Sequence, residues 1–207
     1  MGPALRRSAM SVQFGTRLCT ALQFGPQAVD DLIRAQDVAL ADHHRAVADL
    51  AVAVGRELGL SGDAVTGIEL ASTIHDIGVI GSPRRLDIEH GDGWDASGEH
   101  ASLGATIVDD FRFPWPIGTM ILQHHEHTDG SGFPGGLRQQ EILFDSRVVA
   151  VADAAATMTA RGIPPTAAAR RLAADCVSQY GTDVVAACIA VLVHRPLPDG
   201  VAEPLAS

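Results

Sequence analysis

The side chains in this chain able to do chemistry are imidazoles and carboxylates placed in apolar surroundings. His75 and Asp76 follow the apolar run Ile68, Leu70, Ala71, Ile74 and precede Gly78. An ionised group taken out of water is costly unless it is paired or bound to metal. Neighbours on a helix point about 100° apart, so both side chains can reach one point only near a helix end, which Gly78 is suited to supply as a breaker. A metal centre is one reading of this pair, and a capping Asp beside a core-edge His is the other. His43, His100, His124, His125 and Asp153 are further donors, each on or at the end of a predicted helix. Nitrogen and carboxylate donors without thiolates suit iron, manganese or zinc. Seven donors exceed what one such ion takes from protein, so two ions sharing Asp76 are the economical arrangement. Ions about 3.5–4 Å apart can activate water and clamp the oxygens of a phosphoester.

Helices must position these groups. Val47, Leu50, Ala51, Val54 and Leu58 recur at three- and four-residue steps, which predicts a helix over 29–60 that carries His43 and His44. His44 faces away from His43 and is read as a surface or helix-packing residue. Ser61 to Asp63 caps a helix over 64–76 that delivers His75 and Asp76 from the interior. Residues 78–98, with His90, lack any period and read as a long functional loop. Ser97 is suited to cap the next helix, whose Leu103, Ile107, Val108 and Phe111 form an apolar face and turn His100 inward. A short helix over 117–126 ends at the His124-His125 pair, and a Gly-dense loop over 128–137 can bring backbone N–H groups close to a ligand. A helix starting at Asp145 runs through Val148, Val149 and Val151 to Met158, with Asp153 in its apolar stretch; residues 165–194 give two more helices, broken near Gly181. The expected organisation is a 1–28 appendage with one short helix, a 29–194 domain and a 195–207 tail. The fold class is all-α, a compact helical bundle with long functional loops.

Composition narrows the functions. The chain is 46% apolar and only 4% aromatic, which fits a soluble domain whose helices approach on small side chains. A formal charge of −10 argues against binding long nucleic acid, which needs a dense basic surface. Cys19, Cys176 and Cys188 are odd in number and lack metal-type spacing, as expected for reduced, buried thiols. No apolar run reaches membrane-spanning length, no signal peptide is expected, and the expected location is the cytoplasm. Trp94 and Trp115 flank loops, where either packing or stacking on a guanine base is open.

The ordered set HDIGVIGSP, EHASLGATIV, HHEHTDGSGFPGGL and RVVAVAD, preceded by LIRAQDVALADHH, resembles the HD-GYP domain of the HD metal-dependent phosphohydrolase superfamily, over about 29–180. The resemblance implies a helical, binuclear phosphodiesterase that hydrolyses cyclic di-GMP, or a related cyclic dinucleotide, to pGpG or GMP. It implies metal ligation by His43, His75, Asp76, His100, His124, His125 and Asp153, with His75 and Asp76 as the catalytic pair. His43, His75, Asp76 and Asp153 would hold one ion; His100, His124 and His125 would hold the second, bridged by Asp76. Two divalent ions are implied, iron or manganese ahead of zinc. Gly132, Phe133 and Pro134 stand where the name-giving Gly-Tyr-Pro would be and, with Arg161 near a phosphate-binding Arg of the family, are the implied substrate-binding residues; Arg84, or its neighbour Arg85, is a further expected phosphate contact in place of a family lysine.

Departures from the family pattern leave a second reading open. Val79 replaces the family Lys after HDIG, and a Val cannot donate a hydrogen bond to phosphate. Losing one charge-assisted contact is worth about 1.5–3 kcal/mol, roughly ten- to a hundredfold in rate. A weakly active or inactive regulatory module that keeps its metals is therefore the alternative. Ala39 stands where members with a third ion carry Glu, so two ions are expected. A homodimer or a signalling-protein partner is left open, and regulation is expected to come from another chain or from metal redox state.

Overall fold

The computed structural model describes residues 9–81, 98–175 and 177–194. Among them there is no β-strand, only an isolated bridge between Asp129 and Arg138, and the expected all-α class is borne out. The chain runs through α1 (Ala9–Gln23), α2 (Pro26–Arg34), α3 (Val38–Glu57), α4 (Gly62–Ile74), α5 (Gly78–Gly81), α6 (Glu99–Val108), α7 (Ile117–Gln123), α8 (Phe144–Ala160), α9 (Pro165–Asp175), α10 (Val177–Tyr180) and α11 (Thr182–His194).

The centre of the bundle is α3, packed against α4, α8 and α11. Its apolar stripe Leu40, Ala41, Val47, Leu50, Ala51, Val54 is buried, as the three- and four-residue spacing requires. The helix predicted over 29–60 is in fact two. Ala35 and Gln36 form a turn, and the Asp37 carboxylate accepts the Leu40 N–H at 3.0 Å, which starts α3 afresh. Ser61 caps α4 in the same way, accepting the Ala64 N–H at 3.2 Å. Small residues let α4 sit close to its neighbours. A Cβ on Gly67 would lie 2.6 Å from the Trp115 ring, and the Trp115 Nε1–H donates to Asp63 at 3.2 Å. Trp115 is thus a packing residue.

α8 runs through the interior with Val148, Val149, Val151, Ala152 and Ala155 buried. Each fully buried Val contributes on the order of 1.5–3 kcal/mol before side-chain ordering is counted, so Val151→Asp would be expected to unfold this region. The N-terminal stretch forms a longer helix than its sequence predicts. α1 buries Phe14, Leu18 and Ala21 in the core and packs on α2, α5 and α6. The last segment holds α9, α10 and α11, with Gly181 at φ 94 making the break before α11. No described helix is long and apolar enough to cross a membrane.

Candidate metal centre

α4 stops at Ile74, with His75 as its C-cap, and residues 75–77 turn into α5. Sequence assigned the stop to Gly78, but Gly78 begins α5. It is needed for close approach, because a Cβ there would lie 1.9 Å from the His100 carbonyl oxygen and 2.7 Å from the Gly104 nitrogen. The turn carries His75 and Asp76 into the core, both fully buried, against His43 from α3, His100 from α6, His124 and His125 after α7, and Asp153 from α8.

Asp76 divides this set. Its Oδ2 lies 3.2 Å from His75 Nε2 and 3.8 Å from His43 Nε2, and Asp153 Oδ1 lies 3.1 Å from His43 Nε2 and 3.9 Å from His75 Nε2. Its Oδ1 lies 3.4 Å from His100 Nε2 and 3.3 Å from His124 Nε2, while His125 Nε2 lies 3.0 Å from His100 Nε2. Two donor groups result, His43, His75, Asp76 and Asp76, His100, His124, His125. Ligands held about 2.0–2.1 Å from one ion stand roughly 3–4 Å from one another, which is the spacing seen here. The orphaned atoms agree: His75 Nε2, His124 Nε2 and both Asp76 oxygens are buried without a hydrogen-bond partner. The residues therefore fit a divalent-metal centre, and Asp76 is common to both donor groups.

Backbone carbonyls orient two of the rings. His75 Nδ1 is 2.9 Å from Ser72 O, and His124 Nδ1 is 2.6 Å from Ile121 O. A carbonyl only accepts, so Nδ1 carries the hydrogen in both and Nε2 turns its lone pair to the centre. Burial opposes charge on Asp76, yet the charge of His75 and the approach of His124 hold its carboxyl well below the usual range. Burial likewise opposes charge on Asp153, and the His43 hydrogen bond and charge outweigh it. His43 and His75 are shifted upward against their own burial, His43 by Asp153 and then Asp76, His75 chiefly by Asp76. His125 is held well below 6.5 by burial and then by the charge of His124. No described Lys or Arg pairs with Asp76 or Asp153, so two ionised carboxylates in the core depend on imidazolium or metal for their counter-charge.

The Gly-rich loop closes over the second donor group. Phe133 lies on His125 with ring centroids 4.7 Å apart and is joined to Pro134 by a cis peptide bond. Gly132 has no room for a side chain, since a Cβ would meet the His127 nitrogen at 2.3 Å and the His125 carbonyl oxygen at 2.4 Å. Sequence reasoning assigned no role to Glu126, which is buried and accepts the Gly135 and Leu137 N–H groups with its two oxygens. Gln123 does similar work, accepting from Leu143 N–H and the Ser146 hydroxyl and donating to Glu141 O. Only their position beside the His pair could have flagged them.

Other expected site residues fare differently. Arg161 stands exposed at the C-cap of α8, and Arg84, His90, Trp94 and Ser97 lie outside the described residues. Gly98, at φ 68, is the N-cap of α6 and meets Phe133 and Pro134. Val79 is buried within the hydrophobic core. His44 is buried at the α3–α4 boundary, its ring 4.8 Å from that of His75.

The model of a family described as "HD domain" matches residues 27–183. The chain is 36% identical over 125 residues to a cyclic di-GMP phosphodiesterase of Thermotoga maritima, covering 58% of this chain and 34% of that one. It is 36% identical over 106 residues to the cyclic di-GMP phosphodiesterase response regulator RpfG of Xanthomonas campestris, covering 48% and 28%. It is 30% identical over 123 residues to the 3'3'-cGAMP-specific phosphodiesterase 1 of Vibrio cholerae, covering 56% and 28%. The chain thus spans about a third or less of the length of these curated relatives. Among solved structures it is similar in fold to Bd1817, an HDG"Y"P protein from Bdellovibrio bacteriovorus. The TM-score is 0.64 at 23% identity, over 88% of this chain and 62% of that one.

Proposed function

The chain belongs to the HD domain family, and from that premise we propose that it is a binuclear-metal phosphodiesterase hydrolysing cyclic di-GMP, or a related cyclic dinucleotide, to pGpG or GMP. One observation carries this reading: Asp76 turns one oxygen to His43 and His75 and the other to His100 and His124. The relatives named for cyclic di-GMP and 3'3'-cGAMP support the substrate class. All seven donors are nitrogen or oxygen, which favours iron or manganese, with zinc as the third choice. Bound there, the ions would supply Lewis acidity toward a phosphoester oxygen and an acidified water.

The chain's own residues divide the work. Asp76 and Asp153 contribute the negative charge that holds the ions, and the histidines present Nε2. Glu126 holds the Gly-rich loop so that Phe133 covers His125, giving a flat apolar face beside the metals on which a base can stack. Arg84 and Arg161 are the proposed phosphate contacts. Hydrolysis adds water across a P–O3′ bond, leaving a 5′-phosphate and a 3′-hydroxyl. The protein acts in the cytoplasm on this reading.

A specific observation favours a second, weaker activity level. Val79 sits in the core instead of supplying a cation beside the site, which fits a slow enzyme or a metal-bearing regulatory module. The test is direct. The chain is purified without chelator, its iron, manganese and zinc are counted, and it is incubated with cyclic di-GMP and 3'3'-cGAMP. Two ions per chain and release of the linear dinucleotide are expected. Two ions without turnover would favour the regulatory module, and a metal-free protein under anaerobic handling with manganese or iron supplied would remove both.

A further inference from the structure

Glu126 holds the Gly-rich loop from inside the domain, and a second set of contacts holds it from outside, on α10. The Thr128 N–H donates to Gln179 O at 2.7 Å, and the Thr128 hydroxyl donates to Ser178 O at 2.6 Å. His127 sets its ring edge-on to the buried Tyr180 ring, with centroids 5.5 Å apart. Hydrogen bonding from Ser131 lowers the Asp129 carboxyl, and the Ser178 hydroxyl adds a smaller contribution. Three consecutive loop residues therefore meet a single four-residue helix.

Both sides of this contact lead back to the metal centre. Thr128 O accepts the Gln139 N–H at 3.2 Å, which closes the loop on itself, and the Phe133 N–H donates to His125 O at 3.1 Å. On the other side, the Arg147 guanidinium of α8 reaches Tyr180 O and Asp183 Oδ1, each at 3.5 Å, and Asp153 lies on the same helix. A surface loop keeps one conformation where its backbone has fixed partners and opens locally where it has few. Release of the loop from α10 would thus let Phe133 slide from the His125 ring, whose centroid is 4.7 Å from its own.

We propose that Thr128 is a positioning residue for the dinucleotide: by anchoring the loop on α10 it fixes the Phe133 face on which a base stacks. The part that concerns substrate rests on the phosphodiesterase reading, whereas the anchoring does not. The two are measured separately on the full chain with manganese supplied, as parent, Thr128→Val and Thr128→Ser. Val keeps the branched shape without the hydroxyl, and Ser keeps the hydroxyl. The Gly135 and Leu137 amides, which are bonded to Glu126 and remote from the substitution, report on the loop. Loss of one hydrogen bond should make them exchange hydrogen about two- to tenfold faster in Thr128→Val, and Thr128→Ser should return them to the parent rate. With cyclic di-GMP, KM should rise by a similar factor in Thr128→Val while kcat holds, and Ser should restore it. Parent exchange rates at Gly135 and Leu137 in Thr128→Val would overturn the anchor, whatever the turnover. Faster exchange with an unchanged KM would overturn the role toward substrate. A parent protein that releases no linear dinucleotide would instead refute the phosphodiesterase reading, and the exchange rates would then decide the anchor alone.

Discussion

Replacing Gly78 with Ala tests the geometry that joins the turn to α6. The new Cβ would stand 1.9 Å from His100 O, 2.8 Å from His100 C and 2.7 Å from Gly104 N, all backbone atoms that no rotamer change can move aside. Ordinary packing needs more than 3 Å, so α5 and α6 must separate by about 1 Å or more. Overpacking of this kind costs about 3 kcal/mol or more, which for a chain of this size lowers the melting temperature by about 6–12 °C. The same displacement carries His100 Nε2 away from Asp76 Oδ1, now 3.4 Å distant, by half a metal–ligand bond length. Gly78→Ala should therefore lose at least the ion on the His100 side. Thermal melting and elemental analysis of the same preparation read both effects. A variant that keeps two ions and melts within about 2 °C of the parent would refute the reasoning.

Glu126→Gln turns an amide NH₂ toward one of the two part-buried N–H groups that the carboxylate now accepts, so stability should fall by about 1–3 kcal/mol in urea titration while metal content stays at the parent level. Unchanged stability would mean that the loop does not depend on this carboxylate. His43 and His75 are both shifted above 6.5, so metal must displace protons from them. Manganese affinity should rise as pH increases from about 6 to 8, and the binding heat should vary with buffer ionisation enthalpy; affinity that falls over this range contradicts the assignment. Val79→Lys places an ammonium in the hydrophobic core and should cost about 3 kcal/mol or more by the same titration. An equally stable variant would mean that residue 79 can turn toward open solvent.

Much of the centre was legible because burial and chemistry conflict in the sequence: Asp76 and Asp153 interrupt apolar runs, and only a shared partner makes that tolerable. The α3 stripe was legible from its period. The break at Ala35 and Gln36 was not, since both residues suit a helix and the stop depends on the Asp37 cap. Gly78 misled because a helix breaker and a close-packing glycine look alike until the neighbour, α6, is known. Glu126 carried no signal of its own, as its partners lie nine and eleven residues on and are backbone amides. His44 could not be placed without α4, which sets its ring against His75.

The carbonyls that grip His75 and His124 from three residues back have a chemical corollary. With Nδ1–H committed to the backbone, and Nε2 taken up by a cation on the proposed reading, neither ring would retain a site for shuttling hydrogen. On the proposed reading the departing ribose oxygen would be neutralised by solvent or by a group outside this pair, so replacing pocket residues other than these two should shift the pH midpoint of hydrolysis if one of them supplies the proton, and leave it fixed if solvent does.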